Sequence, residues 1–131
     1  MNQKSFLASI ALMLFTIAGC HSVNSVDVSA NGSYNWIISD DVLKNAARVQ
    51  SAKKEMQDGL LHVQIVIHNK YKTSSVIKYR FVWINGNGMM VHTPLTTWEQ
   101  QTILGKQTTT LDGVAPDPGV TDCRAEMFLV E

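Results

Sequence analysis

Four histidines and two cysteines are the side chains of this 131-residue sequence with the widest chemical reach. Metal binding is the first chemistry to test. His62 and His68 fall on one face of the segment LLHVQIVIHN, but six residues at about 3.3 Å each set them roughly 20 Å apart. Zinc needs its nitrogen ligands at about 2.1 Å, so this pair cannot share one ion. His21 lies near the N-terminus and His92 in a separate segment; no metal or cofactor is expected. Nucleophilic and acid–base chemistry find no better footing. No Ser, Thr or Cys stands in a nucleophile-elbow motif, and Asp40 and Asp41 are adjacent, which in an extended chain sends them to opposite faces. General acid–base work needs groups that converge on one centre. Gly86 and Gly88 imitate part of a phosphate loop, yet they join two strands and no helix N-terminus follows them. No catalytic residue is assigned, and an enzyme is not expected.

Cys20 carries the one strong chemical signal. The chain opens with a single cation, Lys4, then an apolar run (FLASIALMLFTI), then Ala18-Gly19-Cys20. A short cationic head, an apolar core of this length and small residues before a break make a secretory signal peptide. The run falls short of the about 20 apolar residues that a membrane span needs. Ile17-Ala18-Gly19-Cys20 resembles a bacterial lipobox, so the sequence predicts removal of residues 1–19 and acylation of Cys20. Each buried methylene contributes about 0.8 kcal/mol, and stable anchoring takes more than one acyl chain; a triacylated cysteine satisfies that. His21, rather than aspartate, follows the cysteine. The expected place is therefore the periplasmic face of the bacterial outer membrane, with the bilayer as first partner.

With 11 basic and 11 acidic residues the chain is neutral overall, which excludes the basic footprint of a nucleic-acid binder. Acylation of Cys20 would leave Cys123 without a mate. In TDCRAEMFLV, Cys123, Ala125, Met127 and Leu129 alternate with Asp122, Arg124 and Glu126, placing Cys123 as a buried, inert thiol on the apolar face of a strand.

The elements that position these residues read mostly as β. Residues 20–33, with the polar stretch HSVNSVDVSANGS, are expected to form a flexible tether that holds a domain at 34–131 up to about 45 Å from the bilayer. Tyr34–Ile38 is the first expected strand. Residues 41–56 admit two readings. Val42, Ala46, Val49, Lys53 and Met56 could line one helix, stopped by Gly59; alternatively a short helical turn at Asp41–Ala46 leads into a strand from Ala47. The second is favoured, because Gly59 then makes a hairpin turn (MQDGLL). From Leu60 the period is two: Leu61, Val63, Ile65 and Ile67 share a face, as do Ile77, Tyr79, Phe81 and Trp83. Asn85-Gly86-Asn87-Gly88 is a turn supplying positive-φ residues. A short strand at Met89–His92, a long loop from Pro94 to Leu104, a strand near Lys106–Leu111 and a last strand at Thr121–Val130 complete the chain. Six or seven strands without helix alternation predict an all-β antiparallel sandwich.

Two surface features could serve a partner. Trp98 lies in the loop HTPLTTWEQQTI, either as a contact point or as a lid packed with Leu95 and Leu104. Lys70, Lys72, Lys78 and Arg80 form a basic region around one hairpin, which could equally protect an edge strand.

The segments YRFVWINGNGMMV, TPLTTWEQQTILG, TLDGVAPDP and the lipobox together resemble the YcfL-like family of small proteobacterial lipoproteins. The likeness rests on Tyr79, Arg80, Phe81, Trp83, Gly88, Trp98, Gly105, Ala115, Pro116 and Pro118, and spans most of residues 47–130. It implies an immunoglobulin-like β-sandwich on a lipid anchor and transfers no catalytic residue. Two functions are then open. One is a binding module that recruits or regulates an envelope protein, the cell-wall machinery by analogy, with Trp98, Tyr71, Lys78 and Arg80 as candidate contacts. The other is a small-ligand or glycan binder built on Trp98 and Tyr71.

Overall fold

The structure, a computed structural model, describes residues 23–28, 34–38, 40–94 and 96–130. The signal segment, Cys20, His21 and Leu95 lie outside the described residues.

Strand formation follows the period-two pattern closely. β4 (Leu60–Asn69) buries Leu61, Val63, Ile65 and Ile67. β5 (Ser75–Asn85) buries Ile77, Tyr79, Phe81 and Trp83, and β9 (Val120–Val130) buries Cys123, Ala125 and Met127. Each fully buried aliphatic or aromatic side chain contributes about 1.5–3 kcal/mol. The ambiguous stretch resolves as the favoured reading had it. α1 (Asp41–Ala46) is a six-residue helix, capped where Asp40 Oδ1 accepts from Leu43 N at 2.8 Å. β3 (Ala47–Gln57) then pairs antiparallel with β4 along its length. Asp58 and Gly59, both at positive φ, make the two-residue turn between them, the twist that suits a tight hairpin.

Nine strands occur among the described residues, in two antiparallel sheets stacked as a sandwich. Besides β3, β4, β5 and β9 these are β1 (Asn24–Val28), β2 (Tyr34–Ile38), β6 (Met90–Val91), β7 (Glu99–Ile103) and β8 (Thr108–Val114). The larger sheet runs β2-β1-β9-β5-β6, with β7 also on β5; the smaller runs β3-β4-β8. Tyr34 ties them together, its hydroxyl donating to Val49 O at 2.7 Å. The core between them includes Val26, Val49, Ile65, Ile77, Leu111 and Met127.

Four expectations are corrected. Residues 24–28 are not tether: they form β1, hydrogen-bonded between β2 and β9. Val26 and Val28 enter the core, and the fully buried Asn24 satisfies its amide by donating to Met127 O at 3.2 Å and accepting from Asp40 N at 2.6 Å. The Pro94–Leu104 loop contains β7, an edge strand on Ser75–Tyr79. The strand placed at 106–111 starts later, at Thr108, because Lys106 takes a left-handed φ of 60° that ladder geometry does not allow. In the Asn85–Gly88 turn only Gly88 has positive φ. Asn85 Oδ1 supplies the rest of the turn by accepting from Asn87 N and Met89 N, each at 3.0 Å.

One ion pair bridges the sheets at one end. Lys54 Nζ of β3 lies 2.6 Å from Asp122 Oδ1 of β9. Partial burial pushes the Asp122 carboxyl up, but the Lys54 hydrogen bond, the Cys123 N–H and the Lys54 charge together outweigh it and hold the group below its ordinary value. A depressed carboxylate stabilises the fold above its unfolded value, about 3.9, and that stabilisation is lost as pH falls through the folded value. The melting-temperature gap between the natural protein and Asp122→Asn should therefore be constant above about pH 5 and close below about pH 4. A gap of the same size at pH 3 and pH 6 would remove the ion pair from the account.

Candidate functional site

Cys123, the nucleophile-type side chain among the described residues, is fully buried in β9. Burial first, and the Asp122 carboxylate second, push its thiol well above the ordinary range. In a Cys20→Ala protein, Cys123 should be alkylated at least about a hundredfold more slowly when folded than in urea, since reaction waits for opening of the sheet. Native-state labelling at the unfolded rate would contradict the burial.

His62 and His68 stay apart. His62 stands opposite Glu55 and Val114, whereas His68 stands opposite Arg48 and Thr108, with Nδ1 3.3 Å from Thr108 Oγ1. Among the described residues no three His, Cys, Asp or Glu side chains gather as a metal cluster.

What the fold does gather lies on the outer face of the larger sheet. Thr96 closes a turn back on Thr93, donating N–H and Oγ1–H to Thr93 O at 3.0 and 2.6 Å. This returns the chain to β5 at Glu99, whose register partner is Tyr79. Glu99 reaches Tyr79, accepting from its hydroxyl at 2.8 Å. Burial, then this bond, pushes the Tyr79 phenol up to about 12, so it stays a neutral donor. Strand alternation turns the preceding residue, Trp98, to the opposite face, where Arg80 and Phe128 stand. The Trp98 and Phe128 rings meet edge to face with centroids 5.0 Å apart. The Arg80 guanidinium lies 4.5 Å from the Trp98 centroid, and its Nη2 is 3.2 Å from Glu126 Oε2, directly across the sheet. Cation–π contact and the cross-strand pair together hold the arginine in one place. Arg80 Nε is buried with no acceptor among the described residues.

Trp98 is half-buried on this face, and the lid reading with Leu104 is corrected: Leu104 is 63% exposed. Of the other candidates, Lys78 shares the face, opposite Phe128. Tyr71 does not join them. It sits 42% exposed in the loop after β4, where its carbonyl accepts from Lys106 N. The basic region also divides, Lys70 and Lys72 staying with that loop. Phe128 and Glu126 were not singled out as site residues from the sequence, although the alternation on β9 had already put Glu126 on the outer face.

The described residues also form two depressions. One, of about 210 Å³, opens beside Tyr79, Phe81, Glu99, Asp112 and Gly113, at the stretch of β5 between its β6 and β7 partners. The other, of about 420 Å³, lies on the smaller sheet between Lys53, Glu55, His62, Gln64 and Asp112. Trp98 lines neither.

Comparison with known proteins adds the following. Residues 34–129 match the model of a family described as "Protein of unknown function (DUF1425)". A solved DUF1425 family member from Shewanella sp. pv-4 is 20% identical, with a TM-score of 0.56 over 81% of this chain and 94% of that one. The Campylobacter jejuni protein cj0090 is 18% identical, with a TM-score of 0.58 over 70% of this chain and 94% of that one. At these identities both likenesses concern the fold alone. No curated protein matches the chain.

Proposed function

Because this chain belongs to the DUF1425 family, a family of unknown function, we propose a role its surface supports: a lipid-anchored, non-enzymatic envelope module that binds another envelope protein through the outer face of its larger sheet. The observation that carries this reading is the preassembled Trp98–Arg80–Phe128 surface. Tryptophan and arginine dominate interface hot spots, and side chains already fixed by stacking lose less freedom on binding. Ile17-Ala18-Gly19-Cys20 supports the anchor, and His21 after it supports transfer to the outer membrane rather than retention. The likeness to YcfL-like lipoproteins is compatible with the family and points to the same compartment. The glycan alternative has less behind it. The cleft near Tyr79 is smaller than the about 300–1,000 Å³ of ligand sites, the larger depression has no Trp, Tyr or Phe in its lining, and Trp98 stands outside both.

The test has two parts. Incorporation of labelled palmitate should occur in the natural protein and vanish in Cys20→Ala. A photocrosslinking amino acid at Lys78, beside the cluster, should trap one envelope protein in cells, whereas the same probe at Met56 should not. Trp98→Ala with an unchanged melting temperature should abolish that adduct. An adduct that survives Trp98→Ala would remove this face from the proposal.

A further inference from the structure

The correction at β1 moves the anchor point. Asn24 is already hydrogen-bonded in the larger sheet, so Cys20 is four Cα steps from the folded domain, a reach of at most about 14 Å. Which end of the sandwich the chain leaves from is therefore decisive. β1 starts opposite Met127, toward the C-terminal end of β9, and runs away from it. At that same end lie α1, the loop after β4 and the loop between β7 and β8. They are joined in series: Asn24 Oδ1 accepts from Asp40 N, Lys70 Nζ donates to Lys44 O at 2.6 Å, and Lys106 Nζ donates to Lys70 O. Lys44, Lys70, Lys72 and Lys106 are all exposed there, beside the exposed Tyr71 and Leu104. Of the acids nearby, the Asp40 carboxylate caps α1, Asp41 stands in its first turn, and Glu131 directly follows β9 in the sequence. The chain's overall neutrality conceals this local excess of positive charge.

We infer that the domain sits end-on against the bilayer, with Lys44, Lys70, Lys72 and Lys106 on anionic phospholipid headgroups and Tyr71 and Leu104 at the headgroup boundary. The inference rests on acylation of Cys20 as proposed above. A short linker and a basic face at the point of exit are the two features that seating requires: the acyl chains supply attachment, and the lysines fix which surface faces the lipid. Tyrosine suits a position with one end apolar and the other wet. The opposite end, bearing the exposed Met56, Met89 and Met90, then faces away from the membrane.

The measurement uses the mature lipoprotein, its acyl chains verified by mass, reconstituted in vesicles. An environment-sensitive dye is placed at Leu104→Cys or, at the far end, at Met89→Cys; the buried Cys123 does not compete for it. Lipids carry a headgroup nitroxide quencher. Quenching should be several-fold stronger at 104 than at 89 in vesicles containing phosphatidylglycerol, and weaker in pure phosphatidylcholine. High salt, which cuts the screening length to about 3 Å at 1 M, should erase the lipid contrast. Lys44→Glu/Lys72→Glu should erase it too, and the gentler Lys44→Gln/Lys72→Gln should halve it. Equal quenching at both sites, or no difference between the lipids, would overturn the seating while leaving the anchor intact. An unmodified Cys20 in the mass spectrum would overturn anchor and seating together.

Discussion

Replacing Asn69 by alanine is expected to cost the fold more than about 3 kcal/mol, read as a fall in the urea midpoint at unchanged slope. Asn69 is fully buried, and its amide is used completely. Nδ2 donates to Thr73 O and Ile103 O, both at 2.9 Å, and more weakly to Leu104 O at 3.3 Å; Oδ1 accepts from Tyr71 N at 3.0 Å and Ser75 Oγ at 3.2 Å. A buried hydrogen bond contributes about 1 kcal/mol net, but a buried carbonyl left alone costs about 1–3. Alanine strands several such groups at once. Ser75→Ala, which breaks one of these contacts, should cost about 1 kcal/mol. Asn69→Asp keeps the two accepted bonds and sets a carboxylate against the carbonyls, so it should be no milder than alanine. A loss within about 1 kcal/mol for Asn69→Ala would mean that water substitutes freely and that the network is not structural.

Gly105→Ala should do comparable damage by a different route. A Cβ on Gly105 would lie 1.9 Å from Lys72 O and 2.4 Å from the Lys72 carbonyl carbon. The obstacle is backbone, so no rotamer change relieves it; either the loop after β4 or the one after β7 must shift. The expected loss is about 2–4 kcal/mol, in the range of severe overpacking. Gly86→Ala is the control, since its Cβ would meet only Thr121 Cγ2 at an ordinary 3.8 Å, and it should stay within about 0.5 kcal/mol. Truncating the Lys72 side chain should not rescue Gly105→Ala. Rescue would show that the clash is with side chain rather than main chain.

How legible these features were depends on the residue. β4, β5 and β9 are half-buried, so LLHVQIVIHN, VIKYRFVWI and TDCRAEMFLV display their inward faces directly. β7 offers only Ile103 to the core among EQQTI, and a strand with one inward apolar residue carries no period. β1 hid for a different reason: in NSVDV the buried Asn24 and Ser25 are polar, and the partners of the Asn24 amide, Met127 O and Asp40 N, lie on other elements. Asn69 is the same case, its acceptors at 103 and 104 being invisible from position 69. At the candidate site, Arg80 and Trp98 were within reach as residue types. Their meeting with Phe128 and Glu126 was not, because it depends on the strand order that puts β9 beside β5.

That strand order also governs when the molecule can exist. β9 is the last eleven residues of the described chain and the middle of the larger sheet, with β1 on one side and β5 on the other. A polypeptide leaves the ribosome N-terminus first, so β1, which ends at Val28, has no β9 edge to join until the chain has reached Val120 and beyond. The larger sheet must therefore stay open until β9 is made, although β3, β4 and β8 can pair before then. A fragment ending before residue 120 would split the larger sheet into two ribbons, β1–β2 and β5 with β6 and β7. Pairing at such separations also places refolding with slow, millisecond-to-second β proteins rather than with fast local folders. Synthesis of β9 is thus the event that commits the larger sheet to its fold.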